Sequence, residues 1–123
     1  MTALSGRRFL VAEDNALMRR MVCELLAGHG AQAIAAKDGR EAVRLFKEDG
    51  PFDAVLMDVN MPGKDGLSAA RAIRAMDNRV LIFAHTQAGE QYGVREAQES
   101  GMDACLQKPV KMHVLIRLLA CAG

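Results

Sequence analysis

No unbroken apolar run in these 123 residues exceeds five, at Val80–Ala84 and Leu118–Ala122, far short of the ~20 residues a membrane-spanning helix requires. The first twenty residues lack the apolar stretch of a secretory signal. Charge of one sign is missing too. Sixteen basic residues stand against fifteen acidic ones for a net +1, which leaves no global field to recruit nucleic acid or anionic lipid. Cysteine is scarce: Cys23, Cys105 and Cys121 are odd in number, widely spaced and free of any C-x-x-C pair. That is the usage of reduced thiols in a cytoplasmic setting, not of a disulfide framework. His29, His85 and His113 show no metal-ligand spacing, which argues against zinc. Repeats are absent, which excludes collagen-like and coiled-coil chains. What remains is half apolar and one-quarter charged, the profile of one soluble domain over 1–123 with a core from about 7 to 121. Such a unit buries roughly two-thirds of its unfolded surface and needs no cross-link or structural metal.

Short apolar segments alternate with helix-spaced ones, the signature of successive βα units. Phe9–Ala12 reads as a buried strand, and Met18, Val22, Leu25 and Leu26 as the apolar stripe of the helix after it. Gly28-His29-Gly30 ends that helix, because glycine accepts a left-handed backbone. Ala33–Ala36 is a second, weaker strand, and Asp38 with Glu41 forms a capping box before a helix buried through Ala42, Leu45 and Phe46. Ala54–Met57 is a third strand, apolar on both faces as a central parallel strand should be. A turn-rich loop, Met61-Pro62-Gly63 and Lys64-Asp65-Gly66, precedes a helix through Leu67, Ala70 and Ile73. Val80–Ala84 is the fourth strand, Glu90–Ser100 a polar helix closed by Gly101, Ala104–Leu106 a short fifth strand, and Met112–Ala122 a last helix. The expected fold is α/β: a three-layer, doubly wound (βα)5 parallel sheet with right-handed crossovers.

Open parallel sheets bind ligands beyond the carboxyl ends of their strands. At those ends stand Glu13 and Asp14 after strand one, Asp58 after strand three, Thr86 after strand four, and Lys108 with Pro109 after strand five. Each has an ordinary explanation alone: a helix cap, a loop acid, a solvated hydroxyl, a surface lysine, a loop stiffener. Together they place three carboxylates, a hydroxyl and an ammonium on one rim. Two carboxylates ~4 Å apart repel by ~4 kcal/mol at an effective dielectric of about 20, so three call for a cation among them. An all-oxygen site suits Mg²⁺, with Mn²⁺ as a substitute.

The stretches FLVAEDN, VLMDVNMPGKDG, FAHTQ and GMDACLQKPV, in that order on those elements, make the chain similar to the receiver domains of two-component response regulators and hybrid sensor histidine kinases. The resemblance covers nearly the whole chain. It implies a flavodoxin-like sheet in the order 2-1-3-4-5, with Asp58 as phosphoacceptor for a phosphohistidine and Glu13 and Asp14 as the acidic pair. Thr86 becomes the signalling hydroxyl and Lys108 the phosphoryl-binding lysine, aimed by a cis Lys108–Pro109 peptide. In the expected ligand set, Asp14, Asp58 and the main-chain carbonyl of Asn60 touch the metal and Glu13 acts through water. The implied partner is a histidine kinase or histidine phosphotransfer domain, with no direct nucleic-acid or membrane contact. A homodimer through the face of helix four, strand five and helix five is a further expectation.

The chain departs from the family pattern at Cys105, three residues before Lys108, where an aromatic residue normally couples to the threonine. A thiol cannot fill that volume, and Tyr92 is the alternative ring. His85 and Gln87 flank Thr86 where small or aliphatic residues are more usual. Asn60 and Ala88 occupy the positions that tune phosphoryl lifetime. Such a domain catalyses its own phosphorylation without being a turnover enzyme, and belongs either to a hybrid kinase or to a single-domain regulator. Competing readings are a degenerate docking module, a Mg²⁺-dependent aspartyl-phosphate phosphatase, which normally has a second acid where Asn60 stands, and a flavin-binding domain, which Glu13-Asp14 would repel.

Overall fold

The computed structural model describes residues 3–59, 61, 65–87 and 93–122. Along these run β1 (Arg8–Ala12), α1 (Ala16–Gly28), β2 (Gln32–Ala36), α2 (Gly39–Asp49), β3 (Ala54–Asp58) and α3 (Asp65–Met76). β4 (Leu81–Thr86), α4 (Gly93–Glu99), β5 (Ala104–Gln107) and α5 (Met112–Ala122) complete the order. The strands form one sheet in the order β2-β1-β3-β4-β5, and every neighbouring pair is parallel.

Period-two alternation sorts the strand side chains onto two faces. Phe9, Val11, Leu56, Phe83 and Leu106 pack with Val22 and Leu26 of α1 and Leu115 and Leu119 of α5. Leu10, Ala12, Val55, Met57, Ile82 and Ala84 pack with Phe46 of α2, Ile73 of α3 and Ala97 of α4. The central strand β3 is buried throughout, whereas edge strand β2 is largely accessible. No helix among the described residues is long and apolar enough to cross a membrane.

Local signals set the boundaries. Gly30 takes the left-handed turn after α1 at φ +91°, as a residue without Cβ can. Asp38 caps α2 by accepting from the Glu41 N–H at 2.8 Å. Glu41 returns a hydrogen bond to the Lys37 N–H, also at 2.8 Å, and not to the cap's own N–H. α3 starts at Asp65, so Gly66 lies in its first turn and not in the preceding loop. Its place has a steric reason: a Cβ on Gly66 would sit 2.1 Å from the main-chain oxygen of Asp58. Three strands run further than their apolar segments. Asp58, His85, Thr86 and Gln107 keep main-chain pairing at the carboxyl ends, because the ladder is blind to side-chain polarity. The helix expected over Glu90–Ser100 is described only from Gly93 to Glu99.

Candidate functional site

Strand order reverses at β1 and β3, and the candidate residues meet above that point. Val11 and Leu56 are register partners, as are Leu56 and Phe83. Two residues further along, the same face turns polar: Glu13, Asp58 and His85. Glu13 and Asp58 are each 1% exposed, while Asp14 is exposed at the rim. One carboxylate oxygen from each of Glu13, Asp14 and Asp58 lies within 4.8 Å of the other two.

Asp14 is not the helix cap. Asn15 caps α1, its side chain accepting from the Met18 N–H at 2.9 Å, so the ordinary explanation for an acid before a helix does not apply to Asp14. Glu13 is tied at both ends. Its main-chain carbonyl accepts from Arg19 Nη1 at 2.9 Å, and its Oε2 from the Asn15 N–H at 3.2 Å. Arg19 therefore orients this strand end. Sequence alone gives no sign of that, because a helix arginine ordinarily reads as a solvated charge.

Lys108 reaches over from the end of β5. Its Nζ lies 2.9 Å from Glu13 Oε1 and 3.2 Å from Asp58 Oδ2. The Lys108–Pro109 peptide is cis, and the Lys108 N–H donates to the Thr86 carbonyl at 2.6 Å. Burial, aided by repulsion from Asp58 and opposed by the Lys108 hydrogen bond, pushes the Glu13 carboxyl up to about 7. Burial would lower Lys108, but the Glu13 and Asp58 carboxylates outweigh it and hold the ammonium above the usual lysine value. The result is a desolvated ion-pair cluster in which the buried Lys108 ammonium serves two acids.

His85 belongs to the same cluster. It is paired in register with Asp58, and its Nδ1 lies 3.8 Å from Glu13 Oε1. Burial, with help from the Lys108 charge, pushes its imidazole down to about 4, so it is neutral near pH 7. The signal that finds it is the period of two: His85 follows Phe83 on the same face.

Thr86 ends β4, half-buried, with Oγ1 donating to the Leu106 carbonyl at 3.5 Å. Cys105 is half-buried against the α2/α3 core, and burial raises its thiol pKa. A cavity of about 230 Å³ opens beside it, lined also by Lys108 and Val114. Asn60, Ala88 and Tyr92 lie outside the described residues.

Comparison with known proteins gives this geometry a family. The model of the response regulator receiver domain matches residues 9–120. Sensor histidine kinase RcsC of Salmonella typhimurium is 35% identical over 111 residues, 90% of this chain, and the chain spans only 12% of that protein. Chemotaxis protein CheY of Bacillus subtilis is 35% identical over 105 residues, covering 85% of this chain and 87% of that one. Among solved structures, the receiver domain of sensor histidine kinase PA1611 from Pseudomonas aeruginosa has a TM-score of 0.82 at 35% identity, covering 95% of this chain and 97% of that one. A magnesium ion is coordinated in the active site cleft of that structure. The Saccharomyces cerevisiae Ssk1 receiver domain, co-crystallised with the histidine phosphotransfer signaling protein Ypd1, has a TM-score of 0.83 at 30% identity and covers 98% of this chain and 90% of that one. Acids gathered at the strand ends of a 2-1-3-4-5 sheet, under a family match that runs from β1 to α5, have one source: the chain belongs to the response regulator receiver domains of two-component phosphorelays.

Proposed function

We propose that Asp58 is the phosphoacceptor and that it takes its phosphoryl group from a phosphohistidine presented by a partner. The observation that carries this reading is the Lys108 ammonium, 3.2 Å from Asp58 Oδ2 inside a cluster of three carboxylates. In the transfer, a carboxylate oxygen of Asp58 forms a bond to phosphorus while the phosphorus–nitrogen bond of the donor breaks and the imidazole leaves with its electron pair. Positioning and charge neutralisation do most of such work. Lys108 stabilises charge on the equatorial oxygens, and Arg19 and Asn15 hold Glu13 in place beside it.

The donor set fits a hard divalent cation: three carboxylates, no thiolate, and one exposed member open to solvent. Asp14 and Asp58, with the Asn60 carbonyl, would hold Mg²⁺ or Mn²⁺ directly, and Glu13, already paired with Lys108, would act through water. When bound there, the ion neutralises the carboxylates and the transferring phosphoryl oxygens.

The partner in this reading is a histidine kinase or a histidine phosphotransfer domain. Leu17, exposed on the first turn of α1 beside the rim, offers it an apolar contact. The chain acts in the cytoplasm as one domain over 1–123, within a hybrid kinase or as a single-domain regulator. The acyl phosphate draws the Thr86 hydroxyl inward, and the face of α4, β5 and α5, with Cys105 in it, passes the change on or forms a homodimer. Incubation with acetyl phosphate and Mg²⁺ tests the core of this reading. The wild-type chain gains one phosphoryl group and Asp58→Asn gains none; full labelling of that variant would refute the assignment.

A further inference from the structure

The polar row on the α1/α5 face has three members, and the transfer chemistry uses only two. His85 is 1% exposed, as buried as Glu13 and Asp58. Its Nδ1 stands 3.8 Å from Glu13 Oε1, just beyond hydrogen-bond length, and its Nε2 has no hydrogen-bond partner among the described residues. An unpaired buried polar group is costly, and an apolar side chain would fill this strand position without that cost. A carboxylate facing Nδ1, and no partner at Nε2 among the described residues, favour the tautomer of the neutral ring with its proton on Nδ1.

Glu13 Oε1 supplies the reason for a donor there. In the unphosphorylated chain that oxygen faces Lys108 Nζ at 2.9 Å as an ion pair but accepts no aligned hydrogen bond among the described residues, and the same ammonium stands 3.2 Å from Asp58 Oδ2. A phosphoryl group on Asp58 brings nearly two negative charges and three strong acceptors, which draw the ammonium toward Asp58 and away from Glu13. Oε1 would then be a buried carboxylate oxygen facing His85. The other oxygen stays anchored by the Asn15 N–H at 3.2 Å, so the carboxylate can pivot toward the ring.

Resting on the reading of Asp58 as phosphoacceptor, we propose that His85 is a positioning residue for phosphoryl transfer: its Nδ1–H closes on Glu13 Oε1 as Lys108 turns to the phosphoryl group. Glu13 thus exchanges an ion pair for a hydrogen bond, and Oε1, which accepts none from the described residues before loading, gains a donor in the loaded state. No bond is made or broken by His85, and its proton stays on Nδ1 throughout.

The test uses the full chain labelled with ¹⁵N-histidine, with beryllofluoride and Mg²⁺ as the phosphoryl probe and loading read separately from bound fluoride. The expected result is the Nδ1–H tautomer of His85 in both states, with its proton signal moving downfield on loading. An Nε2–H tautomer, or an Nδ1 signal unmoved on a loaded chain, overturns this inference alone. Failure of beryllofluoride to bind overturns the phosphoacceptor reading and this inference with it. In parallel, His85→Leu should raise the half-saturating beryllofluoride concentration about tenfold, the worth of a modest hydrogen bond to a charged group. His85→Asn, whose amide donates from the position of Nδ1, should recover most of that loss. Equal affinities for His85→Leu and wild type overturn the proposal, and the spectroscopic arm stands whether or not the leucine variant folds.

Discussion

Gly66→Ala separates local propensity from packing at the site. In the first turn of α3, alanine should be the better helix former, by about 0.8–1.0 kcal/mol over glycine. The structure reverses that sign. A Cβ at position 66 would meet the Asp58 main-chain oxygen at 2.1 Å, the Val59 Cα at 2.9 Å and the Asp58 carbonyl carbon at 3.0 Å. All three are backbone atoms, which cannot rotate away as a flexible side chain would. Ordinary contact begins at 3.4 Å, so the start of α3 or the end of β3 must retreat by roughly 1 Å. Overpacking of this kind costs about 1–3 kcal/mol, and a 1 Å misplacement of a reacting group can cost ~10²-fold in rate. Urea unfolding should therefore show a lower midpoint, and acetyl phosphate labelling of Asp58 should slow by one to two orders of magnitude. Gly28→Ala is the control. Nothing lies within 4 Å of a Cβ there, so that variant should gain about 0.5–1 kcal/mol and label normally. If Gly66→Ala were as stable as wild type and labelled at the wild-type rate, the close seating of α3 on the Asp58 carbonyl would be refuted.

Lys108→Ala should slow labelling by about 10²–10³-fold, the usual loss on removing one preorganised charge-stabilising donor; a rate within a factor of about two would remove Lys108 from the chemistry. Glu13 links stability to pH. Its carboxyl, raised from 4.5 to about 7, contributes stability that is fully present below pH 4.5 and lost as pH rises through about 7. In metal-free buffer the urea midpoint should fall between about pH 5 and 8, and Glu13→Gln should flatten that slope; an equally steep slope in the variant would contradict the assignment. Thiol reactivity should rank by environment. Cys121 is exposed, whereas burial raises the Cys23 and Cys105 thiols, so a thiol reagent near neutral pH should modify Cys121 first, and modification of Cys105 ahead of it would show that the β5 pocket is open.

Much of this molecule was legible from apolar segments and strand ends. Phe9–Ala12, Ala54–Met57 and Val80–Ala84 announce buried parallel strands because both their faces are apolar, and the sheet order agrees with the family resemblance. Glu13, Asp14, Asp58 and Lys108 were legible because strand ends on one edge of a parallel sheet converge. What stayed hidden depends on pairing and contact. Hydrophobicity stops at Ala84, but the ladder continues through His85 and Thr86, so His85 read as an unusual neighbour of Thr86 and not as a member of the acidic row. Gly66 read as turn chemistry, whereas its role is close approach of helix to strand. Arg19 reaches the Glu13 carbonyl across the start of α1, a contact no spacing rule selects.

The measurement that bears most directly on the central claim is the chemical location of the phosphoryl group. After labelling by acetyl phosphate and Mg²⁺, borohydride reduces an aspartyl phosphate to homoserine, and peptide sequencing by mass spectrometry reads its position. Homoserine at position 58 is the expected result; homoserine at position 14, or a labelled chain with none at all, would contradict the account.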